Sequence, residues 1–356
     1  MNNKEQGTVM PHRRLMFSLI ICMVLSGMVS CAPTAYEKTP VDLVWPPPPD
    51  EPRVKFVDII WSSASLGKKK GIADTLFGEE RVETFIKPYG VAVDKEGKIY
   101  ITDVGRVMVF DLKNKELSLI GDMPEKGQLR VPIGIAVSGD GRLFITDVGA
   151  DVLYVYREGK YVITIGQAGE FDNPSGVAVD EQRRLLYVVN AKKHCVNVYS
   201  LDNYTFLKTI GARGTADGEF NFPTNIALDA EGNIYVVDTG NFRIEIFNPD
   251  GKFIRSIGKS GDTPGSFARP KGIAVDSEGH LYVVDTAFQN FQIFDKEGRI
   301  LLYVGQAGMG PGRFQLPAGM TIDKEDRIYV VDQMPGSFQI FEYLGNRSKG
   351  RSAGAK

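Results

Sequence analysis

Short apolar runs separated by turn residues recur along most of the chain. One run repeats nearly unchanged, with small and β-branched residues after an opening glycine or asparagine. Its copies are GVAVD, GIAVS, GVAVD, NIALD, GIAVD and GMTID, which open at residues 90, 134, 176, 225, 272 and 319. A proline stands two residues earlier each time, so the repeats begin near residues 88, 132, 174, 223, 270 and 317. This regularity indicates one structural unit that is repeated along the chain.

Each repeat holds further runs of the same kind. A second run ends in Asp or Asn (NIYVVD), a third carries an aromatic residue (IEIFN), and a fourth ends in Gly (FIRSIG). Short runs rich in β-branched and aromatic residues, bounded by turn residues, are typical of strands. Four strands per repeat and a period of 42 to 49 residues predict an all-β fold, a six-bladed β-propeller of four-stranded antiparallel blades.

The sixth repeat lacks its fourth run, because it ends with FQIFEYL at residues 338–344. A suitable strand stands before the first repeat, as RVKFVDII at residues 53–60. Pairing of this N-terminal strand with the last blade closes the ring and covers two strand edges. We therefore expect a propeller over residues 53–344, with an open, incomplete ring as the alternative.

The first 30 residues are typical of an export signal. Basic residues precede an uncharged run at residues 15–30, which is short for a membrane-spanning helix. The run ends in Met28-Val29-Ser30-Cys31, which resembles the lipobox of bacterial lipoproteins. The resemblance implies that Cys31 is lipidated and anchors the protein in a membrane, with the outer membrane favoured. A permanent transmembrane anchor is the alternative.

Two flanking segments are expected to form no blade. The proline-rich residues 31–52 predict a tether between the lipid and the propeller, stiffened by Pro46 to Pro49. The small, polar and basic residues 345–356 predict a disordered tail.

Composition and charge exclude several function classes. The hydrophobic fraction of 43% and the charged fraction of 24% are those of a folded globular protein. The net charge of −2 gives no indication of a nucleic-acid partner. The three cysteines form no C-x-x-C motif, which argues against a zinc ribbon, a thioredoxin-like pair and covalent haem attachment.

The repeats resemble the NHL family, in which each repeat forms one propeller blade. Residues 222–258 match the family signature best, through Tyr235, Val236, Asp238, Asn241, Arg243 and Ile244. Other repeats depart from the signature, as at residues 288–291 and 334–337. The resemblance implies the fold but little about function, because this fold hosts unrelated activities. Related propellers include lyases and lactonase-like metal hydrolases.

A ring of polar residues closes the second strands. Its members are Asp103, Asp147, Asn190, Asp238, Asp285 and Asp332. Recurrence in every repeat favours a structural role, in which each side chain accepts hydrogen bonds from the backbone of the following turn. Calcium bound through these oxygens in the central channel is the less favoured alternative.

Candidate metal ligands and nucleophiles are few. A zinc site needs about three protein ligands. Only His194 and His280 would remain after signal removal, and their loops are predicted on opposite faces of the propeller. Cys195 follows His194, but adjacent strand residues point to opposite faces, so the two are not expected to form a nucleophile pair. Cys195 is expected to serve packing. The sequence therefore predicts no metal, no cofactor and no catalytic residue.

The loops between second and third strands share one predicted face with the linkers between blades, and they vary most between repeats. Mixed basic and aromatic residues there suit a recognition surface, with ordinary solvated loop tips as the alternative. The candidate binding residues are Arg106, Lys193, His194, Asn241, Phe242, Arg243, Arg269, Phe288, Gln289 and Arg313.

These features predict a non-enzymatic, lipid-anchored binding or scaffold protein that recognises an envelope protein, peptide or glycan. The first alternative is a metal-dependent lyase or lactonase-like hydrolase with a site in the central channel. The second is cytoplasmic regulation of RNA or protein, against which the export signal argues.

Overall fold

The computed structural model describes residues 41–67 and 81–345, which form a β-propeller. Six antiparallel sheets each contribute one blade, which confirms the predicted fold class. The predicted export signal, Cys31 and the tail at residues 346–356 lie outside the described residues. Within residues 41–67 and 81–345, no helix is both long and apolar enough to span a membrane.

The first two strands of the chain belong to the last blade. They are β1 (Val44–Trp45) and β2 (Val54–Ile60), and a short 3₁₀ helix (Ser63–Leu66) follows them.

Blades one to five each contain four strands in chain order. Blade one contains β3 (Val91–Val93), β4 (Ile99–Asp103), β5 (Arg106–Asp111) and β6 (Glu116–Ile120). Blade two contains β7 (Pro132–Val137), β8 (Arg142–Asp147), β9 (Val152–Arg157) and β10 (Lys160–Ile165). Blade three contains β11 (Pro174–Asp180), β12 (Leu185–Asn190), a 3₁₀ turn (Ala191–Lys193), β13 (Cys195–Ser200) and β14 (Phe206–Ile210).

Blades four and five follow the same plan, and blade six adds three C-terminal strands to β1 and β2. Blade four contains β15 (Pro223–Leu228), β16 (Ile234–Asp238), a 3₁₀ turn (Thr239–Asn241), β17 (Arg243–Phe247) and β18 (Phe253–Ile257). Blade five contains β19 (Pro270–Val275), β20 (Leu281–Asp285), β21 (Asn290–Phe294) and β22 (Ile300–Val304). The short parallel pair β23 (Gln306–Ala307) and β24 (Arg313–Phe314) precedes blade six, which begins with β25 (Pro317–Ile322), β26 (Arg327–Asp332) and β27 (Ser337–Tyr343).

The N-terminal strand closes the ring, as the sequence predicts. Strand β2 pairs antiparallel with β27, with Val54 opposite Tyr343 and Ile60 opposite Phe338. Both strands thereby gain a partner for edges that would otherwise template aggregation.

The packed region begins earlier than the predicted boundary at residue 53. Val44 and Trp45, which fall in the predicted tether, pair with β2 and add a fifth, outer strand to blade six. The Trp45 ring meets Phe341 edge-on, with ring centres 5.7 Å apart. The indole therefore packs against the core of blade six, and the aromatic contact stabilises this position of the segment.

Hydrophobic clusters fill the six interfaces between neighbouring blades. Aromatic residues of the third strands, such as Phe110, Phe247 and Phe294, are almost fully buried there. Burial of each such side chain contributes roughly 1.5–3 kcal/mol to stability. The alternation of apolar and polar residues in the outer strands follows from this arrangement, since only one face of an outer strand meets a neighbour.

The first strands of all six blades line a central channel of about 270 Å³. Neighbouring first strands approach so closely that a side chain on Gly90 would overlap the backbone oxygen of Ile133. The same holds for Gly134 against Ser175 and for Gly319 against Tyr89. This close approach is the physical reason for the glycine that opens most repeats.

Threonine hydroxyls tie neighbouring blades together beside the channel. Thr102 Oγ1 donates to the Ile133 oxygen at 2.9 Å, and Thr239 Oγ1 donates to the Pro270 oxygen at 2.8 Å. Thr146 and Thr286 make the corresponding bonds from blades two and five. Each of the four threonines stands next to the Asp that ends its second strand, a recurrence in the sequence that was not among the predicted structural features.

Candidate functional site

The loops between second and third strands lie on one face of the propeller together with the linkers between blades. We call this surface the loop face. Its loops comprise residues 104–105, 148–151, 191–194, 239–242, 286–289 and 333–336. The turns between first and second strands lie on the opposite face, which we call the hairpin face.

The ring residues at the ends of the second strands are buried beneath the loop face. Asp285 accepts hydrogen bonds from the backbone amides of Ala268 and Arg269 at 2.7 and 3.1 Å, and also from Ala287 and Phe288. The first two amides belong to the linker before the blade, and the other two belong to the following turn. The same carboxylate therefore fixes both chain segments that enter the loop face.

The linker bond recurs in every blade, whereas the predicted bond to the following turn does not. Asp103 accepts from the Lys87 amide at 2.7 Å, and Asp332 accepts from the Leu316 amide at 2.7 Å. Asn190 replaces the carboxylate in blade three and accepts from the Asp172 amide at 2.9 Å. The side-chain oxygens of these residues thus already accept hydrogen bonds from backbone amides, although calcium would need the same oxygens as ligands.

Two of the predicted binding residues are held inside the loop face by ion pairs. Arg106 is paired with Glu83 at 2.6 Å, and 13% of its side chain is exposed. Arg243 is equally enclosed and contacts Asp238 at 3.1 Å and Glu245 at 2.7 Å. Burial raises the pKa of Glu245 to about 7, although Arg243 opposes the shift. Arg106 also lies 3.4 Å from the buried Asp103, so each arginine neutralises a buried acid of its own blade.

His194 and Asn241 also serve the fold. His194 is 5% exposed, and its Nδ1 accepts a hydrogen bond from the Phe222 amide at 3.1 Å. This bond joins blade three to the linker of blade four, where no threonine tie exists among the described residues. Asn241 donates from Nδ2 to the Gly214 oxygen and to Asp238.

The linkers between blades are pinned by buried aromatic residues. Phe220 is fully buried and meets Phe247, with ring centres 5.6 Å apart, and Phe267 packs in the same way on Phe294. The sequence signal is a Gly-x-Phe that precedes the repeats with long linkers (GEF, GEF, GSF, GRF). The sequence predicted these linkers only as variable loops, because the burial of their phenylalanines depends on the neighbouring blade.

Polar residues in the third strands hold the same linkers from beneath. Gln292 accepts from the Gly265 amide at 2.8 Å and donates to the Ser266 oxygen at 2.8 Å. Gln339 likewise accepts from the Gly312 amide at 2.9 Å. Both glutamines are nearly fully buried, so the loop face rests on a rigid frame.

The other predicted binding residues reach the surface to different extents. Lys193, Arg269 and Arg313 are exposed, whereas Phe242, Phe288 and Gln289 are half-buried. Lys193 nevertheless donates to the Gly169 oxygen, and Gln289 Nε2 donates to the Gln315 oxygen at 3.0 Å. Arg269 and Arg313 form no ion pair within the described part of the chain.

Basic residues gather around the mouth of the channel on the loop face. Tyr89 lines the channel, and the Lys271 ammonium lies over its ring, 5.2 Å from the ring centre. Blades one and five, which carry these residues, are separated by blade six around the ring. Lys87 and Arg269 each stand directly before the proline that opens one of these two blades. We call Lys87, Arg269 and Lys271 the mouth cations.

The environment of Lys271 disfavours its charge. Burial lowers the pKa of Lys271 to about 8, and repulsion from Arg269 and Lys87 adds to this shift. Burial also raises the pKa of Tyr89 to about 12, so this ring stays neutral beneath the ammonium. No carboxylate pairs with a mouth cation within residues 41–67 and 81–345.

The channel behind this mouth is lined mainly by glycine and aliphatic residues of the first strands, with Thr224, Asn225 and Thr321 as polar members. A divalent metal would need several oxygen or nitrogen ligands at one point. Among the described residues, no three His, Cys, Asp or Glu side chains are grouped so as to hold a metal ion. Within residues 41–67 and 81–345, the channel lining therefore lacks the ligand set of a metal centre.

His280 and Cys195 also lie away from the channel mouth. His280 stands in the turn before β20 on the hairpin face, where its Nδ1 lies 2.9 Å from Asp276 and this pairing raises its pKa. His194 lies on the loop face, so the two histidines occupy opposite faces. Cys195 is buried, and burial raises its thiol pKa, which does not favour a reactive thiolate.

Family models cover most of the propeller. The model described as the SMP-30/Gluconolactonase/LRE-like region matches residues 50–268, which is more than half of the chain. A second model, described as a six-bladed beta-propeller, matches residues 277–344.

Curated relatives and solved structures agree with this fold. Mouse NHL repeat-containing protein 3 is 34% identical over 83 residues, which cover 23% of this chain and 24% of that protein. The chain thus spans about a quarter of the length of this relative. The match confirms the resemblance to NHL repeats.

Two solved propellers illustrate the range of proteins with this fold. Catalytically inactive virginiamycin B lyase from Staphylococcus aureus, solved with quinupristin, is 15% identical with a TM-score of 0.54, over 72% of this chain and 95% of that chain. An auxiliary nutrient binding protein from Bacteroides thetaiotaomicron is 14% identical with a TM-score of 0.57, over 72% of this chain and 70% of that chain. At such identities the similarity establishes the fold alone.

Proposed function

We propose that this chain, which belongs to the SMP-30/Gluconolactonase/LRE-like family, is a non-enzymatic binding protein that recognises a partner through its loop face. The partner is a protein, peptide or glycan of the cell envelope. In this proposal the propeller presents a rigid surface, and the partner supplies the complementary charge.

The contrast between the channel and its mouth carries this proposal. The channel is lined mainly by glycine and aliphatic residues and offers no grouped metal ligands among the described residues. Its mouth carries basic residues without acidic partners in the described part of the chain, and exposed apolar residues such as Ile86 and Phe222 lie on the same face. Exposed cationic and apolar groups on a rigid frame favour recognition over catalysis.

We also propose that Cys31 is lipidated and that the protein is anchored at the outer membrane. The Met28-Val29-Ser30-Cys31 sequence after an uncharged run supports this. A Cys31→Ala variant should leave the membrane fraction, and the intact mass of the wild-type protein should include acyl chains. Wild-type protein with an unmodified N-terminus would overturn the anchor without affecting the proposed binding face.

Site-specific photo-crosslinking in intact cells tests the binding face. A photoreactive phenylalanine analogue at Phe222, which is 49% exposed on the loop face, should cross-link one defined partner. The same analogue at Phe206 is the matched control, because this residue is 53% exposed on the outer strand of blade three. Equal cross-linking from both positions would contradict recognition through the loop face.

A further inference from the structure

The mouth cations stand at positions where most of the other blades have uncharged residues, so the fold requires no charge there. Lys271 follows the opening proline of blade five, and the other blades place Tyr89, Ile133, Ser175, Thr224 and Ala318 there. Lys87 and Arg269 precede their prolines, where the other blades place Val131, Asn173, Phe222 and Leu316. Uncharged residues therefore satisfy the fold at both positions, and the cations need another explanation.

The mouth cations also repel one another electrostatically. Arg269 and Lys87 both act on Lys271 with like charge, and the desolvated ammonium meets the face of the Tyr89 ring. The nearby carboxylates of Asp103 and Asp285 lie beneath the surface. They accept hydrogen bonds from the backbone amides of Lys87 and Arg269, respectively. A partly buried cation without a counter-charge is costly unless a ligand supplies the charge.

We propose that the channel mouth binds a carboxylate of an acidic peptide segment, with Lys271 as its central contact and Arg269 and Lys87 as flanking charges. This inference rests on the proposed function and names the class of partner. A carboxylate in this position would receive charge-assisted hydrogen bonds from cations that have no acidic partner among the described residues.

The surroundings of the mouth favour a peptide over an acidic glycan. Ile86 is 65% exposed next to Lys87, and Met334 of blade six is 56% exposed on the same face. Val104 and Val131 are also exposed on the neighbouring blades. Aliphatic side chains interspersed with cations complement a segment that alternates acidic and apolar residues.

Binding should depend on the charge of Lys271. The titratable and charged groups that act on it are Arg269 of its own blade and Lys87 and Tyr89 of blade one. Since an anion favours the protonated amine, the bound peptide should raise the Lys271 pKa from about 8. Affinity should fall as the pH rises through that range.

The test is fluorescence anisotropy of a labelled octapeptide of alternating Glu and Leu, titrated with the full chain. We expect saturable binding that Lys271→Met weakens by about tenfold or more and that Lys271→Arg largely retains. The control is Lys113→Met, because Lys113 is an exposed cation between β5 and β6. Circular dichroism verifies that each variant is folded.

Competitors distinguish the chemistry of the ligand. The same peptide with Gln in place of Glu should not displace the probe, and its equal binding would overturn the inference. Stronger displacement by oligogalacturonate would assign the site to an acidic glycan instead, and stronger displacement by inorganic phosphate would assign it to phosphate. If photo-crosslinking at Phe222 succeeds while the peptide fails to bind, this inference falls and the proposed function stands.

Discussion

Asp285 and Lys271 lie in the same blade and beneath the same face, but the structure compensates their charges in opposite ways. Asp285 is fully buried, and four backbone amides donate to its carboxylate. Lys271 is half-buried, meets an aromatic ring and is repelled by two other cations. The acid recurs in the repeats, whereas the lysine occurs in one blade only.

This difference separates charges that the fold compensates from charges that it leaves without a partner among the described residues. The ring carboxylate stands in five of the six blades and has local partners, because each blade must fix the same two chain segments. A charge that occurs once and lacks a partner destabilises the fold and is retained for another reason. Substitutions at four positions measure this difference, from the largest expected effect to the smallest.

Replacement of Arg243 by Ala should cause the largest loss of stability. Arg243 neutralises the buried acids Asp238 and Glu245, and breaking a buried ion pair costs about 3–5 kcal/mol. The part of this loss that comes from Glu245 should be present above about pH 7 and should disappear as the pH falls to that value, since Glu245 of the folded wild-type protein then binds a proton as well. Urea denaturation over a range of pH measures both effects. An effect no larger than that of exposed Arg299→Ala would contradict the structural role of Arg243.

Replacement of Asp285 by Ala should cost about 2–3 kcal/mol of unfolding free energy, because it leaves backbone amides of the linker and the turn without an acceptor. Asp285→Asn should recover part of this loss, as blade three already uses Asn190 in the same position. Thermal denaturation compares the two variants. Equal stability of both variants would show that the ring does not act through its acceptor oxygens.

Replacement of Lys271 by Met should have the opposite sign and stabilise the protein by roughly 1 kcal/mol near neutral pH, after a discount for partial exposure. The folded-state pKa of about 8 lies below the ordinary value of 10.5, so the charged form is disfavoured in the fold. This cost is fully present below about pH 8 and disappears as the pH rises towards 10.5. Wild-type stability, measured by urea denaturation, should therefore approach that of the variant in this pH range.

Replacement of exposed Lys87 by Ala should change unfolding free energy by less than about 0.5 kcal/mol, as is usual for surface positions. The variant should bind the acidic peptide more weakly, and the pKa of Lys271 should lie closer to its ordinary value. Differential scanning calorimetry measures the change in stability, and the anisotropy assay measures the change in binding. A loss of stability without a loss of binding would make Lys87 a structural residue.

Much of the fold could be predicted because the same residue types recur at equivalent positions of every repeat. The opening glycines, the prolines before them and the short apolar runs predicted six blades, and the missing run after residues 338–344 predicted the closing strand. The outer strand at Val44–Trp45 was missed, since two residues carry no periodic signal and depend on packing against Phe341.

The candidate site was predicted less completely, because exposure is decided by neighbouring blades. Arg106 and Arg269 look alike in the sequence as basic loop residues, yet one is enclosed by an ion pair with Glu83 and the other is exposed at the surface. Lys87 was not among the predicted binding residues, and neither was Lys271. The signal that could have found them is their departure from the repeat.

By itself, the sequence determined the number of blades, the approximate position of the blade strands and the residues common to all repeats. These properties follow from local spacing and from turn chemistry, which each repeat carries in full. Only the tertiary structure decided which charges are paired and which meet at the channel mouth. Closure of the ring brings blade one near blade five, and residues as distant in sequence as Lys87 and Lys271 then share one electrostatic environment.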